Sequence, residues 1–338
     1  MNRNPPNARL IVDDAHQDAG RAAAAGIDFL RDVAEGLSRK PKSLPSSHLY
    51  DAEGSRIFEE IMELAAYYPT GCEEEILRAN KKSILEAMRD KPFHLVDLGA
   101  GNGSKSRILV EHFQRSRALL SYVPVDISGD ALDRLAASLR ASLPGLSVQP
   151  LADEYSPALA RLETAALGPK LVLFLGSTIG NFSRREAVSF LKSLRASLAP
   201  GDGLLVGFDL CKDPARILRA YDDASGVTAR FNLNLLARIN RELGGDFRPD
   251  GFIHHAVYDP EARVARSYLV SVRRQTVRLG GTGLTFVFEP WESIHTENSF
   301  KYVPGETAEI AEAAGYRQAV VFQDSGANFQ DAFWENPG

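Results

Sequence analysis

Cysteine is scarce in this 338-residue chain, and long apolar runs and clusters of basic residues are missing. The two cysteines, Cys72 and Cys211, lie far apart and in no metal-type spacing, so we expect two reduced thiols. No stretch approaches the ~20 apolar residues that a membrane span needs, and charges stand where a signal peptide has its apolar core. A net charge of −5 without a Lys/Arg cluster argues against nucleic acid as a partner. These absences predict a cytoplasmic protein that contacts neither membrane nor nucleic acid.

The composition that is present is typical of a soluble globular protein with a substantial core. Hydrophobic residues make up 44% of the chain and charged residues 25%. Five apolar segments separated by helical patterns predict buried strands, and these are FHLVDL, YVPVDI, LSVQPL, KLVLFLG and GLLVGFDL. Such alternation is typical of a parallel sheet covered on both faces. We therefore predict an α/β fold with a doubly wound, Rossmann-like sheet.

The pattern changes after Asp209. The segment PARILRAYDDASGVTARFNLNLLARINREL is helical with a break near Gly226, and the alternation beyond it is typical of antiparallel strands. We expect a second, α+β domain that binds the substrate and comprises residues 19–74 and 212–301. Residues 75–211 and 302–338 are expected to form the nucleoside-binding domain, and residues 1–18 a flexible arm. Pro69 is expected to end the helix of SRIFEEIMELAAYY.

The stretch LVDLGAGNGSKSR, residues 95–107, is the most informative part of the chain. A buried strand leads into a turn of three glycines, where a ligand can lie against bare backbone. The dinucleotide fingerprint G-x-G-x-x-G requires glycine at position 104, where Ser104 stands. The spacing G-x-G-x-G, with Asp97 two residues before the first glycine, resembles motif I of the class I S-adenosylmethionine (SAM) methyltransferases. Asp126, at the end of the next predicted strand, is placed to bind a ribose diol.

Two further segments carry candidate chemistry. In the loop STIGN, Asn181 can accept a hydrogen bond from a substrate amine and aim its lone pair at the SAM methyl group. The alternative is that Asn181 only caps the following helix. In TENSF, an extended backbone places Glu297 and Ser299 on one face and Asn298 on the other. A carboxylate beside a hydroxyl suits a ring with two N–H groups, such as imidazolium, and the alternative is a solvated strand edge.

Several long motifs resemble one family, the L-histidine Nα-methyltransferases of ergothioneine biosynthesis. They are PKSLPSSHLYDAEGSRIFEEI, AYYPTGCEEEIL, LVDLGAGNGSKSRIL, LFLGSTIGN and TENSFKY, together with the segment DLCKDPARILRAYDDASG and its continuation. The resemblance runs from about Pro41 to Tyr302. A related branch of the same family methylates indole-bearing amino acids. The chain departs from the family pattern at Ser267, where an ungapped match places a bulky thioether residue, and beside Ser299.

The resemblance implies a role for each matching residue on the substrate side. Tyr67 and Tyr221 would hold the substrate α-carboxylate, as members of a group of tyrosines near segment ends. Asn181 would hold the α-amine with Tyr50 nearby, and these two are the expected catalytic residues. Glu297 and Ser299 would hold the imidazole ring.

The resemblance also implies the SAM contacts. Gly99, Gly101, Lys105 and Asp126 would bind the cofactor. The adenine site falls in LADEY, beside Tyr155, and either Asp153 or Glu154 can be aligned with the acid that binds adenine.

The function that follows from the resemblance is three successive SN2 methyl transfers from SAM to the α-nitrogen of L-histidine. The products would be hercynine and S-adenosylhomocysteine. Two alternatives stay open, the same chemistry on tryptophan or a histidine derivative, and a SAM-binding protein without catalysis. The adjacent His254 and His255 face opposite sides of a strand, so we expect no metal. We expect a monomer whose small-molecule partner is the amino acid.

Overall fold

The computed structural model describes residues 15–89, 91–164 and 168–338. The thirteen strands in this part of the chain are β1 (Lys42–Ser43), β2 (Phe93–Leu98), β3 (Leu119–Asp126), β4 (Leu151–Ala152), β5 (Lys170–Phe174), β6 (Gly203–Asp209), β7 (Phe252–Asp259), β8 (Val264–Ser271), β9 (Gln275–Arg278), β10 (Thr285–Phe288), β11 (Ser293–Phe300), β12 (Arg317–Gln323) and β13 (Phe329–Glu335). The ten α-helices described are α1 (Ala15–Ser38), α2 (Ala52–Glu63), α3 (Tyr68–Ala87), α4 (Ser106–Arg115), α5 (Gly129–Ser142), α6 (Tyr155–Thr164), α7 (Arg184–Ala196), α8 (Pro214–Tyr221), α9 (Val227–Leu243) and α10 (Glu306–Ala314).

A seven-stranded sheet forms the centre of the fold. Its strand order is β12-β13-β6-β5-β2-β3-β4. Strand β13 runs in the direction opposite to that of the other six strands. Apolar side chains of α3, α4 and α5 cover one face of this sheet, and those of α6, α7 and α10 cover the other. Strands buried on both faces need near-continuous apolar sequence, and this is why the strand segments could be predicted from the sequence. The predicted α/β doubly wound fold is confirmed.

Two local predictions were wrong, and one strand was missed. LSVQPL supplies only Leu151, the first residue of the two-residue β4, and an isolated bridge at Val148, because Pro150 cannot donate a backbone hydrogen bond. Pro69 does not end a helix but lies in the first turn of α3, where a missing N–H is tolerated. The last strand, β13, was not predicted at all, although it pairs with both β6 and β12.

The second sheet has the order β1-β11-β8-β7 and is antiparallel except for the short β1. Residues of α1, α2 and α9 form the core beneath this sheet. Helices α1 and α2 precede the seven-stranded sheet in the chain and α9 follows β6, so distant parts of the chain pack together here. The α+β character predicted for residues 212–301 is present. Of the predicted arm, residues 1–14 lie outside the described residues, and residues 15–18 belong to α1.

The end of β11 joins the second sheet to the first. Tyr302 N donates to Asp209 O at 2.9 Å, and Leu210 forms a parallel bridge with Tyr302. This connection brings the predicted TENSF segment to the carboxyl ends of β2, β5 and β6, where open α/β sheets bind ligands. Among the described residues, no helix is long and apolar enough to cross a membrane.

Candidate active site

The three predicted glycines form a turn at the carboxyl end of β2. Gly99, Gly101 and Gly103 have φ angles of +75°, +53° and +69°, a conformation that glycine adopts without strain. A Cβ at Gly103 would lie 2.4 Å from Leu135 Cδ1, and one at Gly99 would lie 2.8 Å from Tyr155 Oη. A Cβ at Gly101 would meet nothing within 4 Å, so this backbone borders open space. A ligand can therefore approach the turn at Gly101.

Asp126 is tied to this turn from the end of β3. Its carboxylate accepts hydrogen bonds from Gly101 N and Ser128 N, each at 2.9 Å. Carboxylate oxygens have further lone pairs, so a ligand hydroxyl can still be bound. Asp97 lies beneath the turn, where burial raises its pKa and Tyr122 Oη donates to it at 2.7 Å.

The three residues predicted at the adenine site follow β4. Asp153 N donates to Asp126 O at 3.1 Å, and the Asp153 side chain is half-buried and lies 3.5 Å from Arg161. Glu154 is exposed. The Tyr155 ring packs edge-on against Phe174 at a centroid distance of 5.6 Å. The structure thus brings Asp153 and Tyr155, and less so Glu154, next to the glycine turn and Asp126.

A strained turn holds Asn181 above the end of β5. Gly176 and Ser177 have φ angles of +74° and +56°, and Ser177 Oγ accepts from Asp209 N at 3.1 Å. The helix-cap alternative for Asn181 is wrong, because Ser183 caps α7 through a capping box with Glu186. Asn181 itself is half-buried at the end of the turn. Left-handed φ at a residue other than glycine persists only where neighbours hold it, and such strain clusters at functional sites.

The predicted tyrosines come together in one aromatic wall. Tyr67 and Tyr221 meet edge-on with a centroid distance of 6.4 Å. Phe58 lies between Tyr67 and Tyr50, at 6.0 and 5.3 Å from their rings. Burial, followed by the charge of Glu297 and the neighbouring tyrosines, raises the pKa of Tyr50 well above its usual range. These phenols therefore stay protonated and can donate hydrogen bonds.

Glu297 faces the same wall from β11. Burial raises its pKa to about 7, and the charge of Lys301 opposes this shift. Within the described residues, no protein group donates a hydrogen bond to the Glu297 carboxylate. Carboxylates withdrawn from solvent are normally hydrogen-bonded, so this half-buried one is available to a ligand. The alternative of a solvated strand edge is wrong, because β11 pairs with β8 along its length and Ser299 is buried.

Ser299 belongs to a buried polar network that sequence reasoning missed. Ser299 Oγ lies 2.7 Å from Tyr221 Oη, and Lys301 Nζ donates to both. Lys301 also forms an ion pair at 2.8 Å with Asp209, which Lys212 contacts as well. Burial raises the pKa of Asp209, but the two ammonium groups outweigh this and hold it below its usual value. The signal available in the sequence was the period-two spacing of Glu297, Ser299 and Lys301.

Lys105 is held by a second residue that was missed, Glu73. Lys105 Nζ donates to the fully buried Glu73 carboxylate at 2.6 Å, and Gly176 N donates to the same group at 2.8 Å. Glu73 thereby connects the glycine turn to the turn that carries Asn181. The partners are 32 and 103 positions from Glu73 in the chain, so no local pattern reveals the contact.

Comparison with known proteins identifies the family of the chain. A family model described as histidine-specific, SAM-dependent methyltransferase matches residues 29–336. The chain belongs to this family. It is 38% identical over 319 residues to a histidine N-alpha-methyltransferase of Mycobacterium tuberculosis, covering 94% of this chain and 97% of that protein. It is 39% identical over 309 residues to the corresponding protein of Mycolicibacterium smegmatis, covering 91% of this chain and 95% of that protein.

A third relative is longer. The ergothioneine biosynthesis protein 1 of Schizosaccharomyces pombe is 30% identical over 300 residues, which cover 86% of this chain and 39% of that protein. The family to which the chain belongs is described as SAM-dependent. The protein is therefore a SAM-dependent methyltransferase. Among the described residues, no cluster of three or more His, Cys, Asp or Glu side chains could hold a metal ion.

Proposed function

We propose that this methyltransferase transfers three methyl groups in succession from SAM to the α-nitrogen of L-histidine, giving hercynine in the first step of ergothioneine biosynthesis. The observation that carries the choice of substrate is Glu297, a half-buried carboxylate to which no described protein group donates, beside the half-buried Asn181 and the tyrosine wall. Leaving such a group unpaired is unfavourable, and an imidazole N–H satisfies it. An indole ring has one N–H and an otherwise apolar edge, whereas imidazolium has two N–H groups for Glu297 and Ser299, so tryptophan is the weaker candidate.

The proposal gives each side chain a role. Glu297 and Ser299 bind the ring, Tyr67 and Tyr221 bind the α-carboxylate, and Asn181 accepts from the α-amine, with Tyr50 nearby. Every transfer displaces sulfur from a methyl carbon in line, so alignment and proximity supply most of the catalysis. Burial beside the SAM sulfonium disfavours the charged ammonium and favours the neutral amine that reacts.

On the cofactor side, Gly99, Gly101 and Lys105 bind the amino acid part of SAM, and Asp126 binds the ribose. Asp153 is the adenine-binding acid in this proposal, because it is half-buried next to Asp126 whereas Glu154 is exposed. Tyr155 covers the turn. We assign no metal to the reaction, since the residues named here supply every contact that it needs.

The same proposal assigns one ligand to each domain. The central domain binds SAM, and the domain around the second sheet binds the amino acid. Both halves of the site come from one chain, which supports a monomeric enzyme. The two free thiols fit a reducing compartment such as the cytoplasm.

A substrate panel tests this function. The purified protein is incubated with SAM and one candidate substrate at a time: L-histidine, L-tryptophan, each other standard amino acid, or histamine. The masses of the products are measured by mass spectrometry. We expect L-histidine to give a trimethylated product with the highest kcat/KM. Preferred methylation of L-tryptophan would contradict L-histidine as the substrate. Binding of SAM without any methylated product would favour the non-catalytic alternative.

Replacing Asp126 by alanine should weaken SAM and S-adenosylhomocysteine equally, because the ribose diol is common to both. The loss of hydrogen bonds to a charged group corresponds to about 1.5–3 kcal/mol, or roughly tenfold to a hundredfold in Kd. Calorimetric titration with both ligands measures it. Asp133→Ala on the neighbouring helix α5 is the matched control and should leave both affinities unchanged. Unchanged binding of S-adenosylhomocysteine to Asp126→Ala would contradict the ribose assignment.

A further inference from the structure

A buried cation lies directly behind two of the hydroxyl groups assigned above to the substrate. Lys301 Nζ is 2.7 Å from Tyr221 Oη, 2.8 Å from Ser299 Oγ and 2.8 Å from Asp209 Oδ2. The side chains of both Lys301 and Asp209 are 0% exposed. An ammonium group has three N–H donors, and these three acceptors use all of them. Lys301 therefore reaches a ligand only through the two hydroxyl groups.

Counting hydrogen atoms shows what these hydroxyls can offer. Tyr221 Oη and Ser299 Oγ are 2.7 Å apart, so one of them donates to the other. Each oxygen also accepts from Lys301, so neither hydroxyl can donate towards the lysine. One O–H of the pair is left over and points away from the ammonium. The pair therefore presents a hydrogen-bond donor, and the group it binds must be an acceptor such as a carboxylate oxygen.

The charges around Lys301 favour an anion at the same place. Lys301 and Lys212 both contact Asp209, and the Lys212 side chain is also buried, at 8% exposure. Two ammonium groups thus share one carboxylate, and the other acid on which Lys301 acts, Glu297, is the group assigned to the imidazole ring. A buried charge without a partner is costly. With Glu297 bound to the imidazole ring, a ligand carboxylate next to Tyr221 would balance the second ammonium group.

We propose that Lys301 is a positioning residue that makes the site selective for the α-carboxylate of the substrate, acting through Tyr221 and Ser299. This inference rests on the proposed function, in which Tyr221 binds that carboxylate. Lys301 orients the two hydroxyls and supplies the charge, and Asp209 holds Lys301 at the junction of the two sheets. Without the lysine, the hydroxyl pair has no fixed direction of donation and no preference for an anion.

The test compares two ligands that differ only in the carboxylate. Affinities for L-histidine and L-histidinamide are measured by calorimetry, with S-adenosylhomocysteine bound, in the wild-type enzyme and in Lys301→Met. We expect the variant to lose about tenfold in affinity for L-histidine and little for the amide, since a hydrogen bond supported by charge is lost only for the anion. The amide has a more acidic α-amine, but this property is the same in both enzymes and cancels when the two ratios are compared.

Three further variants separate positioning from stability. Lys170→Met removes a buried lysine of similar burial, paired with Asp202 at 2.9 Å, from the opposite end of β5. It should lower thermal stability without changing the ratio of the two affinities. Lys301→Arg keeps the charge and should recover part of the preference. Tyr221→Phe interrupts the path to the ligand while leaving the ion pair, and it tests the proposal even if Lys301→Met does not fold.

The outcomes are distinct. Equal weakening of both ligands in Lys301→Met, or no weakening of either, would overturn the role of Lys301. If Tyr221→Phe kept the wild-type preference for L-histidine over L-histidinamide, the role of Lys301 would likewise be overturned. If the wild-type enzyme binds L-histidine no better than the amide, the assignment of the α-carboxylate in the proposed function fails, and this inference fails with it.

Discussion

Replacing Glu297 by glutamine should weaken binding of L-histidine by roughly tenfold to a hundredfold and leave the affinity for S-adenosylhomocysteine unchanged. The wild-type carboxylate has no donor from the described protein residues, so the ring N–H is the partner that it gains on binding. Glutamine keeps one acceptor oxygen but loses the charge and places an NH2 donor beside the ring, so most of the about 1.5–3 kcal/mol of a hydrogen bond to a charged group is lost. Calorimetric titration of both ligands at pH 8, where the wild-type carboxylate is ionised, measures the effect.

The stability of the same variant shows whether the loss is specific. Burial raises the pKa of Glu297 from 4.5 to about 7, so the folded protein binds its proton more tightly than the unfolded chain does. For an acid shifted in this direction, stability falls as the pH rises from 4.5 to about 7, and the whole cost is present above pH 7. Glutamine removes that cost, so unliganded Glu297→Gln should melt no lower than the wild type at pH 8, and its advantage should vanish near pH 4.5. Lower stability at pH 8, or equal loss of both ligands, would contradict the role given to Glu297.

Replacing Asn181 by alanine should slow methyl transfer by roughly a hundredfold with a smaller effect on histidine affinity. The amide oxygen orients the lone pair of the amine, and misplacement by about 1 Å can cost about this much in rate. Each methylation removes one N–H, so the first two transfers should suffer more than the third. The ratio of mono-, di- and trimethylhistidine is followed over time, starting separately from histidine and from dimethylhistidine.

Asn298→Ala is the matched control for Asn181→Ala. Asn298 Oδ1 accepts a hydrogen bond from His295 Nε2, on the same strand β11, at 3.0 Å. Its removal should leave the product ratio unchanged. If Asn181→Ala methylated both starting materials as fast as the wild type, Asn181 would have no part in the reaction.

Local sequence was sufficient for the features that depend on neighbouring residues. The glycine turn requires left-handed backbone at three positions, and the sequence marks it with three glycines. The buried strands needed apolar side chains on both faces, so β2, β3, β5 and β6 could be predicted while the short β4 could not. Pro69 was misread because a proline is compatible with the start of a helix as well as with its end.

The rest of the site depends on contacts between distant parts of the chain. Lys301 and Tyr221 are 80 positions apart, and Glu73 and Gly176 are 103 positions apart. A lysine after a polar strand is usually solvated, so the period-two spacing places Lys301 on the face of Ser299 but does not predict its complete burial. The cap of α7 could have been read from Ser183 and Glu186, whose spacing is that of a capping box, and this would have freed Asn181 for another role.

The position and number of methyl groups test the central claim most directly. The enzyme is incubated with L-histidine and SAM carrying a ¹³C-labelled methyl group, and the product is analysed by NMR and mass spectrometry. We predict three labelled methyl groups on the α-nitrogen and none on the imidazole ring. Methylation of a ring nitrogen, or no transfer from SAM that is demonstrably bound, would contradict it.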